Sequence, residues 1–169
     1  MLKPAVHSAI DRIQEHEALM NVILYLTHPL QYASSKDARA KIILSGPDHR
    51  VAEHLKTWNS LFSGMSWMIN RQTPSHRDGS GYTAGFDFLS VAGVASSVLE
   101  LPDLGLKLSY ERGCVVGLAG KALSHEVASW MGGDRICCAR WIRQQVFQDL
   151  NAVGVDWPTV AVIGKLLMM

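Results

Sequence analysis

From Tyr82 onward the chain is cut by glycine and proline into short runs of β-favouring residues, each too brief for a helix of ordinary length. The runs cover residues 82–91, 97–101, 106–110, 114–118, 121–127 and 135–143, and that rhythm suits a small antiparallel barrel or jelly roll. Pro102-Asp103-Leu104-Gly105 and Glu111-Arg112-Gly113 supply turns between them. Residues 129–134 read as a glycine-rich hairpin that returns Arg135 to the side of His125.

Upstream the period changes. Over residues 5–26, Val6, Ile10, Ile13, Met20 and Leu24 recur at helical spacing, with Asp11, Arg12, Glu15 and Glu17 between them. His28-Pro29 ends that helix, and residues 34–44 form a shorter basic one capped by Ser34 or Ser35. Gly46-Pro47 breaks it, and Asp48 caps a third helix running to Lys56. Residues 58–70, with Leu61, Phe62, Trp67, Met68 and Ile69, turn toward strand, and residues 143–151 make a final helical turn. The expected architecture is α+β: a double-stranded β-helix core, of jelly-roll or cupin type, braced by the N-terminal helices. At 169 residues one domain is expected, divided into a helical part (1–57), the β core (58–151) and a tail (152–169).

Just after the first strand-like run stands Asn70-Arg71-Gln72-Thr73-Pro74-Ser75-His76-Arg77-Asp78-Gly79. On extended backbone residues i and i+2 point to the same side, so His76 and Asp78 can serve one metal ion. Downstream the chain has a single histidine, His125, and two histidines with one carboxylate form the facial triad of non-haem Fe(II) oxygenases. Arg135, ten residues further on, is placed to grip a dicarboxylate cosubstrate bidentately, with Cys137, Ala139 and Trp141 on the same strand face. Arg71, Gln72, Arg77 and Tyr82 flank the ligands and are candidate substrate contacts.

Competing motifs fail on spacing. His76-Arg77-Asp78 also occurs in kinase catalytic loops, but the Asn required five residues after the Asp is here Thr83, and the glycine loop, strand lysine and Asp-Phe-Gly are missing. His16-Glu17 lacks the second histidine of a zincin, so His7, His16, His28, His49 and His54 are read as surface or helix-end residues. Cys114, Cys137 and Cys138 have no zinc-site spacing and are read as reduced. The net charge of +1 neither recruits nor excludes an anionic partner. Residues 159–169 are apolar but short and carry Lys165, so no membrane span is expected and the protein is read as soluble and intracellular.

At residues 70–81, 99–108 and 121–143, about the last two-thirds of the chain, the sequence resembles the TET/JBP family of Fe(II)- and 2-oxoglutarate-dependent nucleic-acid oxygenases, its compact fungal members above all. The phrases that carry the resemblance are the Asn70-to-Asp78 stretch, Leu99-Glu100-Leu101-Pro102-Asp103-Leu104-Gly105 and Gly120-Lys121-Ala122-Leu123-Ser124-His125. The resemblance implies a distorted double-stranded β-helix, iron held by His76, Asp78 and His125, and 2-oxoglutarate anchored by Arg135. It further implies DNA as partner and a nuclear location, with 5-methylcytosine oxidised to 5-hydroxymethylcytosine and beyond, and N6-methyladenine as a second candidate base. A 2-oxoglutarate hydroxylase of a protein or small molecule, and a catalytically silent β-helix binding module, are the alternatives.

Overall fold

The computed structural model describes residues 4–45, 55–152, 154–161 and 164. The Gly46-Pro47 break, the cap at Asp48, His49, His54, the side chain of His7 and most of the apolar tail with Lys165 lie outside the described residues. Two compact units are present, one from Met1–Leu61 with Gln145–Met169 and one from Phe62–Gln144.

In the first unit, helix α1 spans Pro4–Thr27 and α2 spans Pro29–Ser45. The expected first helix is there, with Met20 and Leu24 fully buried on its apolar stripe. The second begins five residues earlier than its serines suggest, and Ser34 and Ser35 are buried inside it rather than capping it. The reason is local: Pro29 stops α1 and also suits the first position of α2, where its missing N–H costs no hydrogen bond. His28 sits between the helices, wholly buried, and its Nδ1 accepts from the Gln31 N–H at 3.3 Å in the manner of an N-cap. Residues 55–61 are strapped to the helices by amide and guanidinium bonds to backbone carbonyls, among them Gln14 Nε2 to Thr57 O and Arg39 Nη2 to Leu55 O.

The second unit carries nine strands: β1 (Gly64–Ile69), β2 (Thr73–His76), β3 (Asp87–Val91), β4 (Ser96–Leu101), β5 (Leu106–Ser109), β6 (Val115–Leu118), β7 (His125–Val127), β8 (Trp130–Met131) and β9 (Ile136–Trp141). A short helix, α3 (Gln144–Asp149), follows β9 in sequence and from Gln145 on belongs to the first unit. One sheet has the order β1-β9-β3-β6, the other β2-β7-β4-β5 with β8 also on β4, and every pairing is antiparallel. Leu89, Val91 and Cys137 of the first sheet pack with Leu99, Leu101 and Val127 of the second to form the core. The expected double-stranded β-helix, in an α+β chain, is the fold observed.

Residues 73–76 form a strand that pairs with β7. One detail differs from expectation. Residues 129–134 do not form a hairpin joining β7 to β9: those strands belong to different sheets, and β8 pairs with β4. Gly132 and Gly133, at φ of +78° and +126°, let the chain cross from one sheet to the other.

Candidate metal and cosubstrate site

β2 ends at His76, and the chain turns there with Asp78 N–H bonded to Gly120 O at 2.9 Å. His125 opens β7 and stands opposite His76 in the ladder. Register therefore brings together residues that lie forty-nine apart in sequence. His76 Nε2 is 3.6 Å from Asp78 Oδ1, and His125 Nε2 is 3.7 Å from Asp78 Oδ2. One donor atom from each of the three lies within 4.8 Å of the other two. Ligands about 2.0–2.2 Å from a common ion stand no more than about 4.4 Å apart, so both measured spacings suit a shared ion.

The imidazoles are also fixed in the tautomer that a metal needs. His76 Nδ1 is 2.9 Å from Pro74 O and His125 Nδ1 is 3.1 Å from Leu123 O. A carbonyl can only accept, so each Nδ1 carries the proton and each Nε2 presents its lone pair toward Asp78. Burial pushes the His125 pKa down, helped by the neighbouring His76 and opposed by the Leu123 carbonyl and Asp78. That ring therefore stays neutral, as a ligand must be, below the usual imidazole range.

All three residues line a cavity of about 280 Å³. Arg135, just before β9 and 2% exposed, lines it too. Its Nη1 donates to Arg71 O at 2.7 Å and its guanidinium lies over the Tyr110 ring, 5.9 Å from the centroid. Its Nε is buried without a hydrogen-bond partner among the described residues, as is Thr73 Oγ1 on the same cavity. Buried polar groups rarely stay unsatisfied. A guanidinium and a hydroxyl left over in one cavity fit an anionic ligand with acceptor oxygens, so the residues present suit both a divalent ion and a keto diacid.

Cys137, Ala139 and Trp141 line the cavity, as the alternation of β9 requires. Tyr110 Oη shares a hydrogen bond of 2.8 Å with Cys137 Sγ on that wall, and all three cysteines are free thiols. Asp87, also on the cavity, is hydrogen-bonded to Asp78; burial first, then the Asp78 charge, pushes its pKa up to about 8. Its protonated carboxyl thus donates to a metal-site carboxylate. Thr73, Asp87 and Tyr110 carried no sequence signal, since only strand register turns them inward. Of the four candidate substrate readers, none lines the cavity. Arg71 lends its backbone carbonyl, Gln72 is exposed, Tyr82 is half-buried, and Arg77 spends its guanidinium on Asp103 and Ser124.

A jelly roll with two histidines and one carboxylate on an arginine-ended cavity defines the class of non-haem oxygenases. The Tet_JBP family model, the oxygenase domain of the 2OGFeDO superfamily, matches residues 4–144, and the chain belongs to that family. The match takes in the N-terminal helices, beyond the last two-thirds where the motifs lie. Among solved structures, NgTET1 in complex with 5mC DNA is similar at 21% identity and a TM-score of 0.47, over 60% of this chain and 40% of that one. A Cupin 2 conserved barrel domain protein from Salinispora arenicola is similar at 16% identity and a TM-score of 0.38, over 52% of this chain and 68% of that one. No curated protein matches the chain. No described helix is long and apolar enough to cross a membrane.

Proposed function

We propose that this chain, acting as one domain, is an Fe(II)- and 2-oxoglutarate-dependent dioxygenase that oxidises a methylated base in DNA. The favoured substrate is 5-methylcytosine, taken to 5-hydroxymethylcytosine and further products, with N6-methyladenine as the second candidate; a genomic substrate implies a nuclear site of action. One observation carries the reading. Two imidazoles, each with Nδ1 tied to a carbonyl, face one carboxylate on the same cavity as a buried guanidinium with a spare N–H.

His76, Asp78 and His125 would hold the metal on one side and leave positions open on the other. Arg135, with Thr73 beside it, would take the distal carboxylate of the keto acid. Fe(II) and 2-oxoglutarate, when bound, supply with oxygen the oxidising power that hydroxylates a methyl carbon as the keto acid is converted to succinate and carbon dioxide. The protein's own part is to orient and to exclude water. Leu89, Leu99 and Val127 give the cavity apolar walls, and Asp87 steadies Asp78 through its proton. At about 280 Å³ the cavity lies at the small end of ligand pockets, which run from about 300 Å³ upward. Such a volume suits a keto acid and one planar ring, so a base in a duplex would have to be flipped out to enter. Arg71, Gln72, Arg77 and Tyr82 remain candidates for contacts to the strand outside the cavity.

Anaerobic titration with Fe(II) and 2-oxoglutarate tests the site: the weak visible charge-transfer band is expected with the wild-type chain and is expected to vanish in His76→Ala. Failure of the band to form would remove the oxygenase reading. Mass spectrometry of nucleosides after incubation with methylated DNA tests the substrate. Succinate release with 5-methylcytosine and N6-methyladenine both unchanged would favour a protein or small molecule instead.

A further inference from the structure

We infer that Asn70 is the positioning residue for Arg135, holding the cosubstrate grip in place from outside the strand that carries it; the inference rests on the role proposed above for Arg135. The need for such a device is visible in the backbone. Arg135 follows Gly132 and Gly133, both at positive φ, and precedes the first residue of β9, so its own local sequence does little to fix it. Asn70 supplies what is lacking. Its Oδ1 accepts from the Arg135 N–H at 2.9 Å, and its own N–H donates to Arg135 O at 2.8 Å. Its Nδ2 donates to Asp134 Oδ1 at 2.7 Å. The next carbonyl along, that of Arg71, takes Arg135 Nη1.

Two consecutive residues thus clamp the backbone on both sides of Arg135 and one branch of its guanidinium, whose Nε is left buried without a partner among the described residues. Asparagine is suited to this position on two counts. Asn70 stands at φ +50°, a left-handed conformation that asparagine tolerates better than most side chains. Its amide also presents one acceptor and one donor, which match an N–H and a carboxylate. Aspartate would keep the acceptor but set a second negative charge against Asp134. Glycine would keep the backbone and lose both side-chain bonds.

The test measures 2-oxoglutarate binding by calorimetry on the full chain loaded with Mn(II), together with the affinity for Mn(II) itself. Asn70→Gly is expected to weaken 2-oxoglutarate by about tenfold, the low end of the range for supporting residues of a metal site, with Mn(II) affinity unchanged. Asn70→Asp is expected to weaken it further. Asn70→Asp combined with Asp134→Asn keeps the bond from the Arg135 N–H and restores the bond between the two side chains with its polarity reversed, and is expected to recover most of the loss. If Asn70→Gly does not fold, the comparison of Asn70→Asp with the double variant decides. Wild-type affinity in Asn70→Gly and Asn70→Asp, with Arg135→Gln still failing to bind, overturns the inference and leaves the site reading standing. Unchanged affinity in Arg135→Gln, or no binding by the wild-type chain, overturns that reading and the inference with it.

Discussion

A Cβ added at Gly120 would overlap Asp78 Oδ2 and crowd Asp87 Oδ2, so this glycine is the space in which the metal-site carboxylate lies. Gly120→Ala is expected to displace Asp78 and lower Mn(II) affinity by tenfold or more, on the order seen when a ligand's supporting contacts are lost. The accompanying overpacking is expected to cost about 1–3 kcal/mol in a denaturant melt. Asp87 gives a pH signature. Its folded pKa of about 8 is raised from 3.8, so its contribution is fully present below the unfolded value and is lost as pH rises through the folded one. The metal-free protein should therefore lose stability steadily from about pH 4 to about pH 8, and Asp87→Asn, which still donates to Asp78, should flatten that slope. Urea unfolding at a series of pH values checks it.

At the scale of elements, the 3₁₀ turn Pro102–Leu104 clips together the two segments that carry the ligands. Asp103 Oδ2 accepts from Ser124 N–H at 2.6 Å, next to His125, and pairs with Arg77 Nη2 at 3.1 Å, between His76 and Asp78. The Ser124 bond first, then Arg77, holds the Asp103 carboxyl below the usual carboxylate range. The clip is therefore intact above that range and is lost as pH falls through the lowered value. Because Arg77 is more than half exposed, its ion pair adds little, and the backbone bond is the larger part. Asp103→Ala is expected to weaken Mn(II) binding severalfold, and Arg77→Ala to leave it near wild type; equal effects of the two would assign the clip to the ion pair. Asp103 lies in a phrase that the sequence marks only as a turn, since its partners are twenty-six and twenty-one residues away. The start of α2 was illegible for a different reason: His28-Pro29 reads as a stop, and the same proline is a good start.

Across the whole β unit, stability rests on the apolar layer between the sheets. Leu101 is 5% exposed within that layer and does not line the cavity. Leu101→Ala is expected to cost about 2–5 kcal/mol by chemical denaturation while the folded fraction keeps its Mn(II) affinity. A loss of affinity beyond the loss of folded protein would mean that the core and the site are coupled. Strand positions were largely legible because glycine and proline punctuate them and the side-chain period is two, a property of each segment alone. The pairing of His76 with Asp78 was legible from their two-residue spacing, although β2 ends at His76 and Asp78 lies just past it. His125 and Arg135 were singled out by type and order along the chain. Their proximity to the pair is a matter of which strands neighbour which, and β7 and β9 lie in different sheets. Local sterics and hydrophobic spacing, written into the sequence itself, determined the elements and the ligand pair. Only the closing of two sheets on one core decided which polar atoms share a cavity, because register and strand order arise from burial summed over the whole β unit and from no single stretch of it.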